Sequence, residues 1–123
     1  MYEVIVEKSF EAAHFLRGYQ GKCENVHGHR YTVRVRLQSS SLNEIGLAYD
    51  FTDIKRYLAE AIARFDHALL NEIPPFDRTN PSAENIARTL YLELQSRLSG
   101  EAAAIAAVEV WENPQQGIAF TPD

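Results

Sequence analysis

The stretch Arg30–Ser39, RYTVRVRLQS, alternates between apolar and polar side chains and decides the fold. Tyr31, Val33, Val35 and Leu37 occupy the odd positions, whereas polar or cationic side chains occupy the even ones. A period of two is typical of a β-strand with one face against a core and the other in water. The sequence therefore predicts a half-buried strand over this stretch.

The segment upstream repeats the alternation. Val4, Val6 and Phe10 share one face of a second predicted strand, which runs on toward His14. Residues 15–26 have no such period and contain two glycines, so they are predicted to form a loop. The two strands are expected to pair as a long antiparallel hairpin.

Two stretches with helical spacing follow the hairpin. The first helix is predicted to be capped by Asp50 or Thr52. The second opens at residues 80–82, with Pro81 tolerated in its first turn, and ends at Gly100. Their apolar stripes comprise Ile54, Leu58, Ala61, Ile62 and Phe65 in the first helix and Ile86, Leu90, Leu94 and Leu98 in the second.

Two further strands are predicted near the end of the chain, over residues 107–112 and 118–121. The resulting order, ββααββ, favours an α+β fold with an antiparallel sheet and two helices packed on one face. Because 123 residues is the usual size of one domain, a single domain over residues 1–123 is expected.

Composition excludes several classes of protein. A chain with 46% hydrophobic and 24% charged residues is typical of a globular domain and not of a disordered one. The longest apolar run, Ala102–Val108, is far shorter than the roughly 20 residues of a membrane span. The start lacks the pattern of a signal peptide, and the single cysteine suits a reducing compartment, so a cytoplasmic protein is expected.

The net charge of −5 argues against a nucleic-acid partner, since such binding depends on a basic surface. The cationic residues are nevertheless concentrated in the first 36 positions, where a pocket for a small anion remains open. These residues are Lys8, Arg17, Lys22, Arg30, Arg34 and Arg36.

Three of the four histidines form the most informative pattern. His27 and His29 flank Gly28, and alternate residues of a strand face the same side. His14 ends the predicted neighbouring strand, so the three imidazoles are expected to converge. Each histidine taken alone is better explained as a core or solvated residue. Three together favour a metal site with one open position, which is the catalytic form of a zinc site.

Other residues offer weaker signals, each with an alternative. Cys23 lies in a polar loop beside Lys22 and is interpreted either as a fourth metal ligand or as a base or nucleophile. Asp66 and His67 are interpreted either as a helix end or as a carboxylate-oriented imidazole for proton transfer. Glu112 is either a solvated residue at a strand end or a bidentate acceptor for an amidine-like edge.

These elements together resemble the 6-pyruvoyltetrahydropterin synthase family, from about residue 6 to the end. The resemblance is carried by Glu11–His14, Cys23-x-x-x-His27-Gly28-His29, Asp66–His67 and Glu112, with support from residues 49–51, 69–74 and 80–85. The short spacing from cysteine to His-Gly-His is similar to the bacterial branch that makes 6-carboxytetrahydropterin for queuosine biosynthesis.

The resemblance implies a tunnelling fold, assembled as a homohexamer of two stacked trimers with active sites at subunit interfaces. It also implies that His14, His27 and His29 hold Zn²⁺. The implied reaction is the zinc-dependent conversion of 7,8-dihydroneopterin triphosphate to 6-carboxy-5,6,7,8-tetrahydropterin, acetaldehyde and triphosphate, so the chain is expected to be a carbon–carbon lyase.

The family pattern also assigns roles to the remaining residues. Cys23 is implied as the base, with Asp66 and His67 as its partners in proton transfer. Glu112 is implied to anchor the small-molecule pterin, with Ser82 near the pterin edge.

Several alternatives remain open. The chain also contains Glu24, at the offset used by relatives that cleave dihydroneopterin to 6-hydroxymethyl-dihydropterin for folate synthesis. A 6-pyruvoyltetrahydropterin synthase, a non-catalytic zinc- or pterin-binding module and a metal-independent Cys-His-Asp hydrolase are the other interpretations. The sequence does not decide which subunit supplies Asp66 and His67 or which cations contact the triphosphate.

Overall fold

The alternating stretch of the sequence forms the middle of a five-stranded sheet. A computed structural model describes all 123 residues. Its elements in chain order are β1 Tyr2–His14, β2 His27–Ser39, α1 Phe51–Ile62, β3 Ala68–Leu69, α2 Ala83–Arg97, β4 Ala104–Asn113 and β5 Gln116–Phe120. The strands lie in the order β3-β1-β2-β4-β5, so β2 is shielded on both edges.

Strands β1 and β2 form one long antiparallel hairpin. Their register runs without interruption from Tyr2 opposite Ser39 to His14 opposite His27. Strand β4 pairs antiparallel with β2 on the other side, and β5 pairs antiparallel with β4. The hairpin therefore brings the end of β1 and the start of β2 to the same end of the sheet.

The core lies between one face of the sheet and the two helices. The odd-numbered side chains of β2 from Tyr31 to Leu37 are at most 1% exposed, as the alternation predicts. Tyr31 stacks on Phe10 of β1, with ring centroids 5.0 Å apart. The apolar stripes predicted for both helices are buried in this same core. The α+β class with two helices on one face of the sheet is confirmed.

Local caps explain where the helices begin. Asp50 caps α1, because its carboxylate accepts a hydrogen bond of 2.8 Å from the backbone N–H of Thr52. Ser82 caps α2 in the same way, through a bond of 3.1 Å from Asn85 N–H. Pro81 therefore lies before the cap, and the prediction that it occupies the first turn of α2 is wrong.

The predicted order ββααββ omits one strand. Ala68 and Leu69 form β3, which pairs parallel with Ala12 and Ala13 at the edge of β1. Two residues are too few to produce a period, so sequence alternation cannot reveal such a strand. No helix of this chain has both the length and the apolar character that crossing a bilayer requires.

Candidate metal centre and active site

The hairpin register places three histidines on one face at one end of the sheet. His14 lies directly opposite His27, and His29 lies two residues further along β2, opposite Ala12. The ring centroids are 4.5 Å apart for His14 and His27, 5.2 Å for His14 and His29, and 4.9 Å for His27 and His29. One nitrogen from each ring lies within 4.8 Å of the others, which is close enough to share one metal ion.

Backbone carbonyl groups fix which nitrogen of two rings carries the proton. His14 Nδ1 lies 2.7 Å from the carbonyl oxygen of Pro81, and His27 Nδ1 lies 2.7 Å from that of Asn25. A carbonyl oxygen can only accept a hydrogen bond, so each Nδ1 must donate. In the neutral rings this leaves a lone pair on each Nε2, which is the arrangement usual for metal-binding histidines.

The Nε2 atom of His14 is a buried polar atom without a hydrogen-bond partner. The residue is only 1% exposed. Burial lowers the pKa of His14, and burial likewise lowers the pKa of His29, which favours the neutral form that binds metals. An unpartnered lone pair is costly in the interior, and a cation at this position would satisfy it. The donor set therefore fits a metal ion.

The carboxylate of Glu112 adds negative charge to this cluster. Its Oε2 lies 3.4 Å from Nε2 of both His14 and His29. Its Oε1 accepts a hydrogen bond of 3.0 Å from Gln116, across the β4–β5 turn. The predicted pterin anchor thus lies at the histidine cluster, and its two oxygens have different neighbours.

A cavity of about 210 Å³ opens beside His14 of the histidine cluster. Cys23 and Ser82 both line it, as do His14 and Glu112. Cys23 is half-buried in a single 3-10 turn, Lys22–Glu24, and its sulfur is not part of the histidine cluster. This position separates the thiol from the three clustered histidine nitrogens.

Two acidic residues near this cavity differ in their placement. Glu84, in the first turn of α2, lines the cavity although the sequence analysis did not single it out. The available signal was its position two residues after Ser82, a predicted site residue that lines the same cavity. Glu24 shares the 3-10 turn with Cys23 but is exposed, and it is not among the residues that line the cavity.

Asp66 and His67 form a contact pair at the other edge of β1. Asp66 Oδ1 lies 3.0 Å from His67 Nδ1 and accepts a hydrogen bond of 3.0 Å from the backbone N–H of Glu11. That N–H, with a smaller contribution from His67, lowers the pKa of Asp66. Helix α1 ends at Ile62, so the alternative in which His67 closes that helix is wrong.

The pair lies apart from Cys23 in this chain. His67 is 74% exposed at its side chain and lines two cavities with Glu11 and Arg30, one of which is also lined by His29. Cys23 lines the cavity beside α2 instead. The thiol and the imidazole therefore line different cavities of one chain.

The cations of the first 36 residues have different environments. Arg34 pairs with Glu7 and Glu109, and Arg36 pairs with Glu3 and Glu109, on the exposed face of the sheet. These pairs leave little free positive charge on that face. Lys8, Lys22 and Arg30 form no ion pair, and Arg30 lines the cavities next to His67.

Comparison with known proteins places this geometry in context. The family model of 6-pyruvoyl tetrahydropterin synthase matches residues 3–123. A 6-carboxy-5,6,7,8-tetrahydropterin synthase of Haemophilus influenzae is 31% identical over 140 residues, with 93% of this chain and 94% of that protein covered. A protein of the same name from Synechocystis is 34% identical over 100 residues, with 77% and 76% covered.

The fold has a solved counterpart. The structure of Caenorhabditis elegans 6-pyruvoyl tetrahydropterin synthase superposes with a TM-score of 0.85 and 27% identity, and covers 100% of this chain and 98% of that one. The tunnelling fold expected from the sequence is confirmed by this similarity.

Proposed function

The chain belongs to the 6-pyruvoyl tetrahydropterin synthase family, and we propose that it makes 6-carboxy-5,6,7,8-tetrahydropterin from 7,8-dihydroneopterin triphosphate. Acetaldehyde and triphosphate are the other products, and one water is consumed. The observation that carries the proposal is the set of three histidines, one of which, His14, lines a cavity together with the only cysteine. The names of the relatives from Haemophilus influenzae and Synechocystis support the choice of product.

We propose that the metal is Zn²⁺, held by His14, His27 and His29. Three imidazoles with an open position are the usual donor set of a catalytic zinc site. When bound, the ion would act as a Lewis acid toward the hydroxyl groups of the substrate side chain. The Pro81 and Asn25 carbonyls hold two of the rings with Nε2 toward the site.

Cys23 is the proposed base. Its half-buried thiol lines the cavity next to the metal-binding nitrogens, within reach of a substrate side chain placed there. Lys22 precedes it in the same 3-10 turn. A thiolate has suitable basicity near neutral pH for proton abstraction next to an electron-withdrawing ring system.

The carboxylates around the cavity are the proposed pterin contacts. A carboxylate accepts two parallel N–H bonds from the amino group and ring nitrogen of a pterin. Glu112 is the first candidate, and Glu84 offers a second carboxylate on the same cavity. Ser82 lines the same cavity, although its hydroxyl already accepts the capping bond from Asn85.

We propose that Asp66 and His67 act on the Cys23 of a neighbouring subunit. The pair is already oriented, since the Asp66 carboxylate contacts Nδ1 of His67. The imidazole is 74% exposed, and its Nε2 lies 3.5 Å from a carboxylate oxygen of Glu11, so a group from another chain can reach it. A homohexamer of two trimers would bring two half-sites together, the thiol of one chain and the imidazole of the next.

The test is a product assay with purified, zinc-loaded protein. The wild type, Cys23→Ala and Glu24→Ala are each incubated with dihydroneopterin triphosphate and, separately, with dihydroneopterin. Because Cys23 lines the cavity and Glu24 is exposed, we expect the 6-carboxy product from wild type and Glu24→Ala but not from Cys23→Ala. Formation of 6-hydroxymethyl-dihydropterin that depends on Glu24 would replace this proposal with the folate branch.

A further inference from the structure

The loop that carries Cys23 is held in place by two asparagine side chains. It leaves β1 directly after the metal-binding His14 and has no regular structure before the 3-10 turn at Lys22–Glu24. A segment without ladder hydrogen bonds needs other partners for its backbone groups. Those partners come from the segments around residues 71 and 80, both of which precede α2.

Asn71 binds both backbone groups of Phe15. Its Oδ1 accepts a hydrogen bond of 2.9 Å from Phe15 N–H, and its Nδ2 donates one of 2.9 Å to Phe15 C=O. Asn71 is one of the few buried polar residues of the chain, with 6% exposed. The amide therefore replaces a neighbouring strand at this position.

Asn80 makes the same pair of bonds to Arg17, which lies two residues after Phe15 in the loop. Its Oδ1 accepts a bond of 2.8 Å from Arg17 N–H, and its Nδ2 donates one of 3.0 Å to Arg17 C=O. Asn80 is itself fixed, because the side-chain amide of Asn85 in α2 donates a bond of 2.9 Å to the backbone carbonyl oxygen of Asn80. In an extended chain, residues i and i+2 present their backbone groups to the same side, so Phe15 and Arg17 suit two such partners.

We call these two contacts the asparagine brackets: Asn71 on Phe15 and Asn80 on Arg17. They are connected both to the loop that carries Cys23 and to the ring of His14. Between them, Leu16 N–H donates a bond of 2.8 Å to the carbonyl oxygen of Cys23. Pro81, the residue after Asn80, accepts the bond from His14 Nδ1. The Arg17 side chain adds a further bond to the segment before α2, since it donates a hydrogen bond of 3.0 Å to the Phe76 carbonyl.

We propose that Asn71 and Asn80 are positioning residues that hold the Cys23 thiol at a fixed place relative to the metal-binding face. Neither asparagine lines the cavity, so they act through the loop backbone. The effect on turnover rests on the proposed function, whereas the effect on the thiol does not.

The test uses an isosteric change that replaces the amide donor with a carboxylate oxygen. Asn71→Asp and Asn80→Asp each keep an acceptor for the loop N–H but turn a carboxylate oxygen toward the loop C=O. Asn43→Asp is the matched control, because Asn43 uses only its Oδ1, as an acceptor from Ile45 and Leu47 N–H. Cys23 is the only cysteine, so alkylation of the intact protein reports on this thiol alone.

We expect faster alkylation of Cys23 in both bracket variants and the wild-type rate in Asn43→Asp. We also expect kcat to fall by about 10- to 100-fold with KM little changed, as for other residues that orient a reacting group. Wild-type alkylation and kcat in both folded bracket variants would overturn the proposal. If alkylation accelerates but no variant, nor the wild type, turns over the pterin, the proposed function fails and the positioning role stands.

A second measurement covers variants that fail to fold. Hydrogen exchange of the wild-type protein should show Phe15 and Arg17 amides protected to a degree similar to the adjoining residues of β1. These two amides donate only to asparagine side chains, so fast exchange at both positions would overturn the proposal without any substitution.

Discussion

Individual residues at the histidine cluster owe their orientation to groups outside the two paired strands. The carbonyls of Pro81 and Asn25 select the tautomers of His14 and His27, and neither contact follows from the strands that carry the rings. The His-Gly-His spacing was enough to predict the cluster, because alternate strand residues share a face. The tautomers were not predictable, since they depend on a loop more than 60 residues away in sequence in the case of Pro81.

The role of the cysteine can be tested by its effect on metal content. Cys23→Ala should retain one zinc per chain, because the sulfur lies outside the histidine cluster, while activity falls by about 100- to 10,000-fold with the loss of a base. Metal analysis of the dialysed protein beside a rate measurement checks both. His29→Ala serves as the comparison that should lose the metal. Zinc lost from Cys23→Ala to the same extent would make the thiol a fourth ligand.

Asp66 should contribute to stability only above acidic pH. Its folded-state pKa is lowered, chiefly by the N–H of Glu11, so the contribution is present above the ordinary value of 3.8 and is lost as the pH falls through the folded pKa. Asp66→Asn keeps an acceptor but removes the charge. We expect a lower melting temperature for the variant at pH 7 and a smaller difference at pH 3, measured by circular dichroism. A difference that grows toward pH 3 would contradict this sign.

At the scale of elements, one hairpin and one helix start define the site. The hairpin register aligns the histidines, and the start of α2 supplies Ser82 and Glu84 to the cavity beside them. The strands and helices with clear periods were predicted, because each buries one regular face. Strand β3 and the 3-10 turns were not, because they are too short to show a period. Glu84 was missed since a first-turn glutamate is ordinarily a favourable partner of the helix dipole.

Ser82 caps α2, and this contribution to stability can be measured separately from any contact with the pterin. Ser82→Ala should lower the free energy of unfolding by about 1 kcal/mol, because the cap of α2 is lost. Ser82→Asp restores a cap, so urea denaturation of the two variants isolates that contribution. Asp50→Ala at the cap of α1 is the control, with a similar loss of stability and no change in KM. If Ser82→Asp is no more stable than Ser82→Ala, the capping assignment is incorrect.

For the whole molecule, the separation of Cys23 from Asp66 and His67 is the most consequential feature. The sequence indicated all three as partners in proton transfer, but a sequence does not give the distances between distant loops. The fold places the thiol beside α2 and the imidazole at the outer edge of β1. Assembly of several copies would also cover strand edges that a single sheet leaves exposed.

Assembly of half-sites predicts complementation between inactive variants. Cys23→Ala and His67→Ala should each be inactive alone, and co-refolding them as a mixture should restore part of the activity, because some interfaces then combine an intact thiol with an intact imidazole. Mixing without subunit exchange is the control. A mixture as inactive as its components, despite mixed oligomers seen by native mass spectrometry, would place both groups within one chain.

The most direct test of the central claim is the product formed from 7,8-dihydroneopterin triphosphate before and after metal removal. The account predicts 6-carboxy-5,6,7,8-tetrahydropterin from the zinc-loaded protein, none after chelation, and its return when zinc is added back. Undiminished turnover by the chelated protein, or no 6-carboxy product from the fully loaded one, would contradict the account.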